Sequence, residues 1–255
     1  MTAPDPHSPL GPITPLPRPA EELVGADVVL FGGSFDPVHR AHVDLGEQVR
    51  AGVEARPGVR AAWLAYVPAA RSPHKNQGPV GSDADRTAML RLALDGKPRT
   101  LLWTDELDRA ARAGGPSYTV DTLRRLAEVL RSAGAGSAAP RLHLLIGADQ
   151  ALAFHRWREP HAILALADPI VLLRAPAEHA ESLLERVLAE GRWSAAEAGA
   201  WRRSVLVLPT DDVSSTQIRL AAARGDWAYA QARTPAGACA YMREHRVYAE
   251  RRPVA

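Results

Sequence analysis

The fold is decided by residues 28–42, which read VVLFGGSFDPVHRAH. The first four residues are apolar and include two β-branched valines, which is typical of a buried strand. Gly32 and Gly33 follow at once, and glycine lets the backbone turn tightly and approach a ligand closely. The stretch therefore predicts a buried β-strand that ends in a glycine-rich loop.

A helix should begin after this loop, because Pro37 fixes φ and the Asp36-Pro37 pair suits the start of a helix. His39 and His42 are three residues apart, so their rings would face the same side near the helix start. The free N–H groups of a helix N-terminus, beside a glycine-rich loop, favour binding of a phosphate. Two other interpretations stay open: a tight turn with partly exposed histidines, and a zinc site, although no cysteine or clear third ligand follows at short spacing.

The run from Gly32 to His42 resembles a known signature. It is similar to the His-x-Gly-His motif of the nucleotidyltransferase superfamily, and as a whole it most resembles the bacterial nicotinate-mononucleotide adenylyltransferases. That family usually has glycine between the two histidines, where this chain has Ala41. We expect the added methyl group to crowd the nucleotide slightly, which affects affinity more than chemistry.

Length and composition restrict the class of protein. A chain of 255 residues can bury a sizeable core in one domain. Charged residues make up 24% of the chain and the formal net charge is +2, so no overall field favours nucleic acid or an anionic membrane as a partner. The longest apolar run, at 162–173, is interrupted by Asp168-Pro169 and is too short to span a membrane. Cys239 is the single cysteine and the N-terminus does not read as a secretory signal, which together favour the cytoplasm.

The N-terminal segment 1–25 is rich in proline and lacks apolar periodicity. This composition is typical of a disordered or polyproline-like extension, with recruitment of a partner as an alternative role. We therefore divide the chain into an extension at 1–25 and a nucleotidyltransferase domain at 26–250. The sequence leaves open whether this domain forms a homo-oligomer.

Apolar runs suited to strands alternate with helical patterns along the rest of the chain. This order predicts a parallel sheet covered by helices on both faces, and the resemblance implies a doubly wound, Rossmann-like α/β fold. A final helix is expected over 235–248, and a flexible linker at 132–140. The six predicted strands are 28–31, 61–67, 100–103, 142–146, 170–173 and 205–208.

Two loops are expected near the substrates. Loop 68–76 contains Lys75 and leaves the carboxyl end of a predicted strand, the edge at which open α/β sheets bind ligands, although basic loops are also often merely solvated. It resembles the family's Pro-His-Lys loop, whose cations are thought to meet substrate phosphates. Residues 116–119 resemble the family's Pro-Ser-Tyr-Thr, which gives Thr119 the role of holding the nicotinate carboxylate. On local grounds, Ser117 or Thr119 could simply cap a helix.

Segment 146–158 has features of a ribose and pyridine site. Asp149 follows a predicted strand and a glycine, where it could accept hydrogen bonds from ribose hydroxyls or cap a helix. Residues 146–149 resemble the family's Ile-Gly-x-Asp. Trp157 with Arg158 resembles a family segment whose tryptophan stacks on the pyridine ring, a contact suited to a flat and charged aromatic ligand. A tryptophan of the core is the alternative.

A second phosphate motif lies at 213–219, which reads VSSTQIR. Serine and threonine often cap helices, but Arg219 lies one helical turn after Ser215, so hydroxyls, free N–H groups and a guanidinium could meet one polyphosphate. The motif closely resembles the superfamily's Ser-Ser-Thr-x-x-Arg. Arg174 follows a predicted strand, at a place where the family has a basic residue near ATP.

The resemblance implies transfer of AMP from ATP to nicotinate mononucleotide, giving nicotinate adenine dinucleotide and pyrophosphate in NAD biosynthesis. Mg²⁺ would accompany ATP and be held mainly by phosphate oxygens and water. The alternatives are adenylyl transfer to nicotinamide mononucleotide or phosphopantetheine, and an inactive nucleotide-binding regulator. The implied catalytic residues are His39, His42, Lys75 and Arg219. The implied ATP-binding residues are Gly32, Gly33, Ser34, Phe35, His42, Arg174, Ser215, Thr216 and Arg219. The implied substrate-binding residues are Lys75, Thr119, Asp149, Trp157 and Arg158.

Overall fold

The computed structural model describes residues 12–71, 78–133, 141–174, 179–208 and 213–249. Six strands form one parallel sheet with the order β3-β2-β1-β4-β5-β6, which is that of a doubly wound, Rossmann-like fold. The predicted fold and all six predicted strands are confirmed. The strands are Asp27–Gly33 (β1), Ala62–Pro68 (β2), Thr100–Leu102 (β3), Leu142–Gly147 (β4), Asp168–Arg174 (β5) and Val205–Leu208 (β6).

Helices connect the strands and follow the last one. Two short 3-10 helices lie at Ala20–Leu23 and Phe154–Arg156. Within the described ranges, no helix is both long and apolar enough to cross a bilayer. The α-helices of the described residues are Arg40–Glu54 (α1), Asp83–Ala93 (α2), Asp105–Ala113 (α3), Thr119–Ala133 (α4), Ala148–Ala153 (α5), Pro160–Leu166 (α6), His179–Glu190 (α7), Ala195–Arg202 (α8), Ser215–Ala223 (α9), Trp227–Arg233 (α10) and Ala236–Glu244 (α11).

Two hydrophobic cores lie on opposite faces of the sheet. Successive strand residues point to opposite faces, so Val28 and Leu30 of β1 join one core and Val29 joins the other. Helices α4, α6, α7 and α8 cover the first core, and α1, α2, α9, α10 and α11 cover the second. Burial of a valine or leucine side chain stabilises the fold by about 1.5–3 kcal/mol. The sheet is therefore stabilised on both faces by apolar packing against its helical layers.

Some element boundaries differ from the prediction. Gly32 and Gly33 still belong to β1 and pair with β2. The turn therefore begins at Ser34, after both glycines. Helix α1 begins at Arg40, where the sequence predicts it, and ends at Glu54 rather than at the predicted Ala51. Helix α11 ends before Arg246 and Tyr248, whose positive φ values of 52° and 69° are incompatible with a right-handed helix. Helices α6 and α10 were not predicted, because their seven residues each are too few for a clear helical period, and α3 was not predicted either.

The N-terminal segment 12–25 packs against the domain, unlike the loose extension predicted for 1–25. The backbone N–H of Thr14 donates to Asp105 at 3.0 Å, and the Trp103 indole N–H donates to the Thr14 carbonyl at 2.9 Å. A proline-rich chain makes few hydrogen bonds of its own, and here side chains of the domain bond its backbone instead. The first eleven residues lie outside the described part of the chain.

Candidate active site

A cavity of about 570 Å³ opens at the carboxyl ends of β1 and β4. These strands are neighbours, and the chain order reverses between them, which makes this the switch point where open α/β sheets bind ligands. The volume lies within the usual range for small-molecule sites. Gly33 and Gly147, the last residues of the two strands, both line it.

The glycine-rich end of β1 forms one wall of the cavity, with Gly32, Gly33, Ser34 and Phe35. A Cβ atom on Gly33 would lie 2.9 Å from the Phe35 ring, so a larger residue there would displace that ring. Phe35 is buried and has a φ of 46°, a left-handed value that non-glycine residues rarely adopt. Such strain persists only when surrounding packing holds the turn, which is common where backbone meets a ligand.

The two histidines lie at the start of α1, with His39 at the N-cap. Their rings stack with centroids 3.6 Å apart, so the prediction that they face the same side is confirmed. His42 lines the cavity, whereas His39 is only 8% exposed and does not. The His39 backbone N–H donates to His42 Nδ1 at 3.2 Å. Because Nδ1 is an acceptor, the neutral His42 ring carries its proton on Nε2, from which it can donate to an anion.

The position of His42 is fixed by its neighbours. The Tyr66 hydroxyl donates to the His42 carbonyl at 3.0 Å, and burial raises the pKa of that hydroxyl, which keeps it a donor. The Phe35 ring contacts the imidazole edge-on at 5.1 Å. Ala41, which departs from the family pattern, packs against the core and is not part of the cavity lining. The effect of its methyl group on nucleotide affinity stays a prediction.

The second phosphate motif reaches the same cavity from α9. Ser215, Thr216 and Arg219 all line it, which confirms that they share one helix face. Ser215 Oγ donates to the Pro37 carbonyl at 2.9 Å. Arg219 donates to the Asp36 carbonyl at 2.6 Å and to Thr216 Oγ1 at 3.1 Å. Helix α9 is therefore held against the loop after β1, and the two predicted phosphate motifs line one cavity.

The opposite end of the cavity contains aromatic and hydroxyl groups. Thr119 is the first residue of α4, and it lines the cavity together with Trp157 and Arg158. The Trp157 indole stacks on Phe154 with centroids 5.0 Å apart, and the Arg158 guanidinium lies 4.7 Å over the Tyr118 ring. Neither Ser117 nor Thr119 is the helix cap, because the Tyr118 carbonyl accepts the first N–H groups of the helix.

Glu106 also lines this end, although it is not among the predicted site residues. Thr122 Oγ1 donates to Glu106 at 2.7 Å, and Arg109 donates to the same hydroxyl at 2.8 Å. Burial raises the pKa of the Glu106 carboxyl, although the hydrogen bond from Thr122 opposes the shift. The sequence carried no signal for this residue, because α3 was not predicted and Glu106 lies among other acidic residues.

Three further predicted residues are not in the described cavity wall. Asp149 is exposed, and its carboxylate lies close to Gly147, while its neighbour Gln150 lines the cavity instead. Arg174 is the last residue of β5, and only its backbone is described. Lys75 lies in the segment outside the described residues.

The zinc interpretation finds no support in the described part of the chain. There, no three His, Cys, Asp or Glu side chains come together as a metal site. His39 and His42 therefore have no third ligand among the described residues.

A doubly wound parallel sheet with a cavity at its switch point is typical of nucleotide-binding α/β proteins. Residues 30–221 match the model of the cytidylyltransferase-like family. A curated relative from Stenotrophomonas maltophilia, described as a probable nicotinate-nucleotide adenylyltransferase, is 37% identical over 86% of this chain and 96% of its own length. Another of the same description, from Laribacter hongkongensis, is 38% identical over 84% of this chain and 88% of its own length. The chain therefore belongs to the nicotinate-nucleotide adenylyltransferase family of nucleotidyltransferases, as the sequence resemblance predicted.

A solved structure shares the fold. The nicotinic acid mononucleotide adenylyltransferase of Plasmodium falciparum, complexed with NaAD, superposes with a TM-score of 0.59 at 15% identity. The match covers 88% of this chain and 97% of that chain. At this identity the likeness concerns the fold alone.

Proposed function

We propose that this protein transfers AMP from ATP to nicotinate mononucleotide, forming nicotinate adenine dinucleotide and releasing pyrophosphate. The observation that carries the proposal is that one cavity joins a phosphate-binding end to an acceptor end. His42, Ser215 and Arg219 lie at the first, and Thr119 and Trp157 lie at the second. Membership of the nicotinate-nucleotide adenylyltransferase family supports the same reaction.

The proposed reaction is one displacement at phosphorus. A phosphate oxygen of nicotinate mononucleotide attacks the α-phosphorus of ATP, and the bond from that phosphorus to the bridging oxygen of the β-phosphate breaks. The bonding electrons leave with pyrophosphate. Because the attacking phosphate is already anionic, no side chain has to remove a proton, and the protein acts by positioning and by stabilising charge.

The phosphate end supplies donors where negative charge grows. His42 Nε2–H and the Arg219 guanidinium would bond the departing pyrophosphate, with Ser34 and the Ser215 hydroxyl on its outer oxygens. Gly32, Gly33, Phe35 and Thr216 complete this wall. We assign His39 to the support of His42, because its ring is stacked behind that of His42.

Two cations are proposed on family resemblance. Lys75 would neutralise repulsion between the two reacting phosphates, and Arg174 would lie near ATP.

A family resemblance also assigns ribose hydroxyls to Asp149, whose neighbour Gly147 lines the cavity.

The acceptor end is suited to a pyridine ring that carries a carboxylate. One face of the Trp157 indole is stacked on Phe154, and its other face would stack on the positively charged ring. The Thr119 hydroxyl, at the N-terminus of α4, would donate to the carboxylate. Arg158 adds positive charge at this end.

Mg²⁺ is proposed to enter with ATP as part of the substrate. The donors of the described cavity are mostly hydroxyls, N–H groups and a guanidinium, which fit phosphate oxygens, while Mg²⁺ itself prefers oxygen ligands of phosphate and water. We further propose that the enzyme works in the cytoplasm, since its one cysteine, Cys239, is free and buried.

The test is pyrophosphate release from Mg–ATP, with nicotinate mononucleotide, nicotinamide mononucleotide and phosphopantetheine offered separately. We expect release with nicotinate mononucleotide and little with ATP alone. A clear preference for another acceptor would keep the ATP half of the proposal and reject the acceptor half. ATP binding without release for any acceptor would indicate a regulator rather than an enzyme.

A further inference from the structure

The Asp36 carboxylate joins three parts of the chain beside the phosphate end of the cavity. The side chain is only 5% exposed. Its Oδ2 accepts from the Val80 backbone N–H at 2.7 Å, and its Oδ1 accepts from the Gly81 backbone N–H at 2.9 Å. The Tyr248 hydroxyl donates to Oδ1 at 2.7 Å. Asp36 therefore links the loop after β1 to the 78–81 segment and to the C-terminal segment.

The same residue also contacts the guanidinium of Arg219 in two different ways. The backbone carbonyl of Asp36 accepts from Nη1 at 2.6 Å, whereas Oδ2 of the carboxylate lies 3.7 Å from that nitrogen. The first contact is a direct hydrogen bond, and the second is a looser ion pair. A tighter ion pair would direct the guanidinium toward the carboxylate and away from a bound phosphate.

The backbone conformation of the C-terminal segment places the Tyr248 hydroxyl against the Asp36 carboxylate. Tyr248 has a φ of 69°, a conformation that persists only when its surroundings hold it. A Cβ atom on Gly81 would lie 2.8 Å from the Tyr248 hydroxyl and 2.9 Å from Asp36 Oδ1, so the three groups fit closely. Burial and the bond to Asp36 both raise the pKa of the hydroxyl, which remains a donor.

We propose that Asp36 and Tyr248 are positioning residues for the ATP half of the site, which keep Arg219 available to phosphate. The hydroxyl of Tyr248 and the two backbone N–H groups satisfy the carboxylate, so it does not draw the guanidinium into a tight ion pair. The 78–81 segment, of which Gly78, Pro79 and Val80 line the cavity, is held by the same carboxylate. The inference rests on the proposed function for its phosphate ligand.

The test compares Tyr248→Phe and Asp36→Asn with a matched control, Tyr241→Phe. Tyr241 also donates its hydroxyl to a carboxylate, that of Asp85 at 3.0 Å, and neither residue lines the cavity. Each protein is titrated calorimetrically with α,β-methylene-ATP and Mg²⁺, and its pyrophosphate release and thermal unfolding are measured. Asp36→Asn keeps the size of the side chain and removes its charge.

We expect Tyr248→Phe to weaken binding of the ATP analogue by about tenfold, because it removes one hydrogen bond to a charged group. Its KM for ATP should rise while its KM for nicotinate mononucleotide stays within about twofold of wild type. Asp36→Asn should also weaken analogue binding, because an amide cannot accept from all the donors that the carboxylate holds, including the N–H groups of the 78–81 segment, although the variant also removes the charge that could draw Arg219 from phosphate. Tyr241→Phe should bind the analogue as wild type does.

Wild-type affinity for the analogue in Tyr248→Phe would overturn the inference, since the Tyr248 hydroxyl would then not affect ATP binding. An equal loss of affinity in Tyr241→Phe would also overturn it, since the loss would then reflect a general loss of stability. If the wild type binds the analogue but releases no pyrophosphate with any acceptor, the proposed function fails while the positioning role is still decided by the binding titrations. A wild type that does not bind the analogue at all would overturn both.

Discussion

Substitution of His42 by asparagine tests the roles of its two ring nitrogens separately. The Oδ1 of asparagine can take the place of Nδ1 and accept from the His39 backbone N–H, a bond of 3.2 Å in the structure. No group of asparagine reaches the position of Nε2, so the donor proposed to stabilise the departing pyrophosphate is lost. The variant therefore removes the proposed catalytic contact and keeps the contact that supports the helix.

The expected loss follows from the role of the donor. Removal of one preorganised donor to developing negative charge lowers kcat by about a hundredfold to a thousandfold, or roughly 2.7–4 kcal/mol. We expect His42→Asn to lose at least about a hundredfold in kcat, with a much smaller change in KM for ATP, because the bond strengthens as pyrophosphate leaves. The assay is steady-state pyrophosphate release with saturating nicotinate mononucleotide.

His42→Ala serves as the companion variant. It removes the N-terminal acceptor of α1 as well as the donor, so it should lose a similar factor in kcat and also about 1 kcal/mol of unfolding free energy. Loss of ring contacts with His39 and Phe35 adds to that destabilisation. A kcat for His42→Asn within about threefold of wild type would refute the reasoning, since Nε2 would then contribute little to the transition state.

Three other outcomes are expected. Trp157→Leu should raise KM for nicotinate mononucleotide by about tenfold in the same assay and leave KM for ATP unchanged, because it removes the stacking face and keeps an apolar side chain; an equal rise in both would contradict the acceptor assignment. Thr119→Val should lower the ratio of kcat/KM for nicotinate mononucleotide to that for nicotinamide mononucleotide by about tenfold. An unchanged ratio would show that the Thr119 hydroxyl does not discriminate between the two acceptors. Burial raises the pKa of Glu106, so the folded protein keeps this proton to a higher pH than the unfolded chain does, and stability falls as the pH rises above the unfolded pKa of about 4.3. Glu106→Gln should therefore lose less unfolding free energy than wild type between about pH 5 and pH 8 in urea titrations, whereas parallel curves would show that Glu106 ionises normally.

Local patterns were sufficient for the sheet and for both phosphate motifs. Buried strands are short apolar runs that can be identified in the sequence without knowledge of the rest of the fold. The spacings of the glycines, the histidines and the serine–arginine motif are fixed by the geometry of one turn or one helix. For that reason the sequence predicts 28–42 and 213–219 as phosphate-binding segments, and the structure brings both to one cavity. The family followed from the same residues.

Other parts of the site depended on contacts between segments distant in the chain. Asp149 follows a strand and a glycine, a position that suits a residue that binds ribose. The described cavity is nevertheless lined by its neighbour Gln150. The direction of a side chain at the start of a helix depends on the preceding turn, which the spacing in the sequence does not show. Glu106 enters the wall through a helix that the sequence did not reveal. Residues 12–25 carry the composition of a loose tail but are held by side chains of the domain.

The class of fold, the family and the candidate phosphate-binding residues can be predicted from the sequence, because these depend on local geometry and residue chemistry. The order of the strands in the sheet, and therefore the location of the switch point, became known from the three-dimensional structure. The structure also decided that Asp36, Val80, Gly81 and Tyr248 meet, although Tyr248 is 212 residues from Asp36 in the chain. Such a meeting results from packing of the whole domain, since no local preference connects residues so far apart.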